Sequence, residues 1–190
     1  MNKYKAAFLD RDGVINRKAP EGRYVTRWED MVFLPGVVLG ILMLRRAGFR
    51  IIVISNQRCV AKGLLTAGDL DALHRRMCET LAADGAIIDA AYYCPHETDE
   101  QCNCRKPAPG LILAAATNHL IDLNASWMIG DSASDIEAGR GAGCKTALLR
   151  DGEAAAETPA DLVTTSLLEA ARQISNLEQA QISYTSNVSR

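Results

Sequence analysis

No stretch of this chain approaches the ~18 consecutive apolar residues that a membrane span demands. The apolar run Ala6–Leu9 is also too short for the core of a secretory signal, so the expected location is the cytoplasm. A dominant charge is missing too. With 21 basic against 23 acidic residues the net charge is −2, and the two signs are mixed along the chain. Neither a nucleic acid nor a membrane surface is an expected partner for such a balance. The pairs Arg45-Arg46 and Arg75-Arg76 read as solvated helix faces. Internal repeats and low-complexity blocks are absent as well. What is present, 190 residues with 48% hydrophobic and 23% charged content, suits one globular domain with a substantial core. Six cysteines in such a chain argue for metal or free thiols before disulfides.

Apolar runs alternate with helical patterns. Strands are expected at Ala6–Leu9, Arg50–Asn56, Asp89–Tyr93, Ser126–Ile129 and Thr146–Leu149, with a sixth at Asp161–Val163. Between them fall helices over Val37–Ala47, from a Thr66/Asp69 capping box to about Gly85, over Leu111–Asn118 and over Asp135–Ala142. A last helix is expected near Leu167–Ile174, and Asn16–Phe33 reads as a loop. The alternation predicts an α/β fold, a doubly wound three-layer parallel sheet of Rossmann type. Right-handed crossovers bring every strand's carboxyl end to one edge. Residues 1–175 form the expected domain, and the polar, aperiodic 176–190 a flexible tail.

That shared edge collects the chemistry. The first strand runs directly into Asp10-Arg11-Asp12-Gly13. Side chains two apart on an extended chain share a side, so both carboxylates can face one object. Phosphate-ester hydrolysis needs two such acids, one to attack phosphorus and one to manage the leaving group's proton. Gly130-Asp131 closes the fourth strand, and Asp135 follows. Magnesium takes one or two carboxylates plus waters and phosphate, so Asp10, the Asp12 carbonyl and Asp131 make a suitable partial shell. Asp135 either holds a metal-bound water or complements the dipole of its own helix. Ser55-Asn56-Gln57 offers a hydroxyl, amides and backbone N–H groups to phosphate oxygens, though a turn serine explains it equally. Lys106, in Arg105-Lys106-Pro107, can neutralise phosphate charge and restrain Asp10.

Cys94, His96, Cys102 and Cys104 put three thiolates and an imidazole within one loop, 94–104. Such a set suits tetrahedral zinc with no open position, hence a structural site; free thiols or a disulfide are the alternative. Cys59, Cys78 and Cys144 lack ligand spacing and read as packed. His74 and His119 read as structural.

Taken in order, Asp10-Arg11-Asp12-Gly13, Ser55-Asn56-Gln57, Arg105-Lys106-Pro107 and Gly130-Asp131-x3-Asp135 resemble the four motifs of the haloacid dehalogenase superfamily of phosphatases. The resemblance spans about Ala6 to Leu149. It implies a magnesium-dependent phosphatase in which Asp10 is the nucleophile, Asp12 the general acid and base, and Ser55 and Lys106 hold phosphate oxygens. The inter-motif stretches are too short for a large cap domain, so the site should be open, lined by 16–33 and the zinc loop. Cys94-Pro95-His96, with Cys102-Asn103-Cys104-Arg105-Lys106-Pro107, is similar to the heptose bisphosphate phosphatases and to the histidinol-phosphate phosphatases. Tyr92-Tyr93, Ala108-Pro109-Gly110 and Val60-Ala61-Lys62-Gly63 look more like the heptose family. That resemblance implies a small phosphorylated metabolite, a sugar bisphosphate, with Arg105 on its second phosphate. A phosphoryl transferase or mutase using the same aspartate stays open. Arg58-Cys59 and Ser132 depart from the heptose pattern, and Arg58 is the expected substitute for the cation missing at 132.

Overall fold

The computed structural model describes residues 3–150 and 159–188. The order along the chain is β1 (Lys5–Leu9), α1 (Val37–Arg46), β2 (Phe49–Asn56), α2 (Ala67–Ala83), β3 (Ala90–Cys94) and α3 (Gly110–His119). Then come β4 (Trp127–Gly130), α4 (Ala133–Ala142), β5 (Lys145–Leu149), β6 (Leu162–Thr164) and α5 (Leu167–Val188). Every strand pairing is parallel, and the sheet order is β3-β2-β1-β4-β5-β6. Among the described residues no helix is long and apolar enough to cross a membrane.

The sheet is parallel and covered on both faces, so its central strand must be apolar on both sides. β1 meets that demand. Ala7 and Leu9 enter one core with α1, α2 and α5, while Ala6 and Phe8 enter the other with α3 and α4. All four are fully buried. The chain winds outward from β1 through β2 to β3, then returns to β1's other side as β4. The strand order therefore reverses between β1 and β4, and a crevice opens beyond their carboxyl ends.

Boundaries shift by a residue or two from the expected ones, with two informative differences. Asp161 does not begin β6; its carboxylate accepts from the Thr146 backbone N–H and hydroxyl, at 2.7 and 2.9 Å. The last helix does not stop near Ile174, and 176–188 is no irregular tail: α5 continues to Val188. No glycine or proline interrupts 167–188, and its Glu, Gln and Ala favour a helix once Leu167, Ala170, Ala171 and Ile174 are packed. Glu178 also pairs with Lys5 at the start of β1. Residues 189–190 of the expected tail lie outside the described ones.

Candidate active site

The chain leaves β1 through a tight turn. Asp10 stays tied to the sheet by its N–H to the Ile129 carbonyl, at 3.0 Å. The Arg11 carbonyl then accepts from Ile15 and Asn16, at 2.8 and 3.0 Å. Gly13 makes this possible: its φ is +94°, and an added Cβ would sit 2.2 Å from Asp131 Oδ2. The turn thus presses against the end of β4 and brings Asp10 and Asp131 into one crevice.

A cavity of about 360 Å³ occupies that crevice. Asp10, Asp12, Ser55, Asn56, Gln57, Arg105, Lys106, Asp131 and Asp135 all line it, as does the loop 18–25. Arg58 does not. It pairs with Glu97 at 2.8 Å, so its charge is spent in the cysteine-rich loop and does not replace a cation at 132. Two other side chains have different duties from those expected. Asn56 clamps the Lys106 backbone, accepting from its N–H at 3.0 Å and donating to its carbonyl at 3.1 Å. Gln57 donates to Asp12 and to Ser55, at 3.0 and 2.8 Å. Both amides hold the site together.

Lys106 is buried between two acids, 2.8 Å from Asp10 and 2.5 Å from Asp135, and also donates to the Ile54 carbonyl at 2.9 Å. A buried ammonium is tolerable only with such partners. Asp135 caps its own helix, one of the two roles its sequence position left open, and in addition meets the lysine. One oxygen accepts from the Ser132 N–H and hydroxyl at the start of α4; the other meets Lys106. Burial pushes Asp10 up to about 7, with Lys106 opposing and Asp135 and Asp12 assisting.

Sequence reasoning missed three groups. Arg11, fully buried, grips Asp12 through Nε and Nη2 at 2.8–3.1 Å and reaches His74 Nε2 at 3.1 Å. Asn16 also donates to Asp12, at 2.8 Å. Lys18 meets Asp131 Oδ2 at 2.8 Å. The charge of Arg11 between two acids was a visible signal; nothing in the sequence pointed to Lys18.

Two groups can hold cations. Ligand atoms of Asp10, Asp131 and Asp135 lie within 4.8 Å of one another, and Asp131 Oδ1 is buried without a hydrogen-bond partner. An orphaned carboxylate oxygen among acids is what a hard cation satisfies. Cys94, at the end of β3, converges with His96, Cys102 and Cys104. Cys94 Sγ lies 3.3 Å from Cys104 Sγ and 3.6 Å from Cys102 Sγ, and His96 Nδ1 lies 3.1 Å from Cys104 Sγ. Zinc–thiolate bonds of ~2.3 Å set tetrahedral sulfur–sulfur edges near ~3.8 Å, so the cluster fits zinc after a slight expansion. All four positions are filled by protein, and none of the three cysteines is in a disulfide.

A parallel sheet with paired acids at its switch point and a buried lysine between them defines a hydrolase of the haloacid dehalogenase class. Comparison with known proteins agrees. The HAD-hydrolase-like family model matches residues 103–170. A D-glycero-beta-D-manno-heptose-1,7-bisphosphate 7-phosphatase of Rhodopseudomonas palustris is 43% identical over 145 residues, 73% of this chain and 79% of the relative. An alpha-anomer counterpart from Mycobacterium tuberculosis is 43% identical over 131 residues, 68% of each chain. The crystal structure of the B. bronchiseptica D,D-heptose 1,7-bisphosphate phosphatase, complexed with magnesium and phosphate, superposes with a TM-score of 0.79. It is 32% identical and is covered to 97%, against 90% of this chain. The chain belongs to the heptose bisphosphate phosphatase family of the haloacid dehalogenase-like phosphoric monoester hydrolases.

Proposed function

We propose that the protein removes one phosphate from D-glycero-D-manno-heptose 1,7-bisphosphate, leaving the heptose 1-phosphate, through an aspartyl-phosphate on Asp10. The observation that carries the reading is the pairing of Asp10, 2.8 Å from the Lys106 ammonium, with Asp12 two positions on, both at the wall of one cavity. An Asp10 oxygen attacks phosphorus and the ester P–O bond breaks. Asp12 gives its proton to the departing sugar oxygen, then takes one from the water that releases phosphate. Arg11, Asn16 and Gln57 keep the Asp12 carboxyl aimed while it does so. Ser55 and Lys106 hold phosphoryl oxygens as charge redistributes, and Arg105 meets the second phosphate.

Asp10, the Asp12 carbonyl and Asp131 hold magnesium in this reading, with Asp135 behind a water. When bound, the ion supplies positive charge where a dianion meets a carboxylate. Zinc belongs to Cys94, His96, Cys102 and Cys104 as a structural ion. The catalytic unit is one domain, and its last helix, α5, runs on past residue 175. Substrate and ions are soluble species, and the reading requires no nucleic acid or membrane.

Phosphate release from both anomers of the heptose bisphosphate, other sugar bisphosphates and histidinol phosphate, with and without magnesium, tests the proposal. The expected result is magnesium-dependent release from a heptose anomer, abolished in Asp10→Asn. A preference for histidinol phosphate would reverse the substrate assignment, and near-normal turnover in Asp10→Asn would remove the nucleophile.

A further inference from the structure

Each of the four motif aspartates in the crevice faces a cation. Asp12 has Arg11, Asp10 and Asp135 share Lys106, and Asp131 has Lys18 at 2.8 Å. The first two cations are locked in place, their side chains 1% and 3% exposed. Lys18 differs. Its side chain is 60% exposed, it stands on the irregular segment after the β1 turn, and it borders the catalytic cavity and two neighbouring cavities. An exposed ion pair of this kind is weak and easily exchanged.

Asp131 is also the acid whose other oxygen is buried without a partner. A divalent cation there competes with the ammonium for one carboxylate, and the exposed monovalent partner is the one that yields. Lys18 is then a strongly hydrated point charge on a flexible stem, at the mouth of a cavity about to receive a phosphate dianion. Arg11 cannot swing toward that anion without abandoning Asp12, and Lys106 can meet it only at its fixed place beside Asp10.

We propose that Lys18 is a substrate-phosphate-binding residue, held on Asp131 until a divalent cation claims that carboxylate and then passed to the incoming anion. This rests on the phosphatase reading above and adds a residue to it. Metal and substrate binding become linked: the ion releases the group that the anion needs, and each favours the other.

The test compares wild type, Lys18→Met and Lys18→Arg, all changes at an exposed position. Calorimetric titration of Mg2+ into substrate-free protein reads the competition. Lys18→Met should bind Mg2+ about two- to fivefold more tightly, the range an exposed ion pair implies. Steady-state turnover with saturating Mg2+ reads the anion contact. In Lys18→Met, KM for the bisphosphate and the inhibition constant for orthophosphate should rise about tenfold or more, by a larger factor than kcat falls. Lys18→Arg should stay near wild type in both. Unchanged or weakened Mg2+ binding in Lys18→Met overturns the proposal, as does an unchanged KM. A wild-type protein inert toward every phosphorylated substrate would instead remove the phosphatase reading itself.

Discussion

Arg11 carries a buried charge at the wall of the crevice. It is a guanidinium with no exposure, and its fork is filled by Asp12 on one side and His74 on the other. His74 can accept from Arg11 only as a neutral ring. Burial, helped by the Arg11 charge, pulls its pKa down to about 4 and keeps it so. Tyr93 closes the ring edge-on, with centroids 5.4 Å apart. The "structural" histidine of the sequence therefore stands directly behind the proposed acid. Replacing His74 with Leu keeps the volume but leaves a buried Arg11 donor unpaired, a loss of about 1–3 kcal/mol at neutral pH by urea unfolding. His74→Gln, which can still accept, should recover part of it. The pH dependence has a definite sign. The folded pKa lies below the unfolded 6.5, so the histidine's contribution is complete above 6.5 and drains away as pH falls toward 4. The gap between wild type and His74→Leu should narrow over that interval. A gap that is constant with pH would remove the neutral-acceptor assignment.

At the scale of elements, what the sequence disclosed depends on how local the cause was. β1 could be read because both its faces are buried, and α2 because its capping box lies within four residues. The motif acids were legible because Asp10 and Asp131 each directly follow a strand. Lys18 was not, since the segment 16–33 has no period and its packing is decided by Gly13 against β4. Arg58 misled for a similar reason: only the fold shows that Glu97 is its neighbour. The length of α5 was hidden because polar helix formers look like a tail until their anchor on α1 is known. The cysteine loop lies between these cases. Spacing announced its ligands, yet only the fold joins it to the catalytic wall. The Gln57 N–H donates to the Cys94 carbonyl at 2.8 Å, and Arg105 donates to the His96 carbonyl at 3.4 Å. The loop therefore ties Ser55–Gln57 to Arg105–Lys106, and zinc held there would steady both. Metal analysis of protein purified without chelator should find about one zinc per chain, kept when magnesium is removed. Cys104→Ser should lose it and lower the melting temperature by several degrees. Zinc-free wild-type protein of normal stability would dismiss the structural site.

For the whole molecule, the strand order is the decisive fact. Because β1 and β4 are neighbours but their connections run to opposite sides, three acids from two strand ends crowd one crevice. Crowding and burial hold Asp10 at about 7, above the 3.8 of an unfolded chain. A group raised in the folded state stabilises it fully only below about 4, and that contribution is lost as pH climbs through about 7. The metal-free protein is thus strained most at the pH where the proposed chemistry needs an ionised Asp10. A divalent cation reverses the balance because it binds the carboxylate and not the acid, so below about 7 binding must expel a proton. Magnesium affinity should therefore rise about tenfold per pH unit toward 7 and then level off. Calorimetry in buffers of different ionisation heat should detect one proton released at pH 6 and almost none at pH 8. Stabilisation by magnesium should follow the same curve, with a larger rise in melting temperature at pH 8 than at pH 5.5. Asp10→Asn should flatten both profiles, since an amide has no proton to lose. A wild-type affinity that does not change between pH 5.5 and 8 would mean that Asp10 is not the titrating ligand.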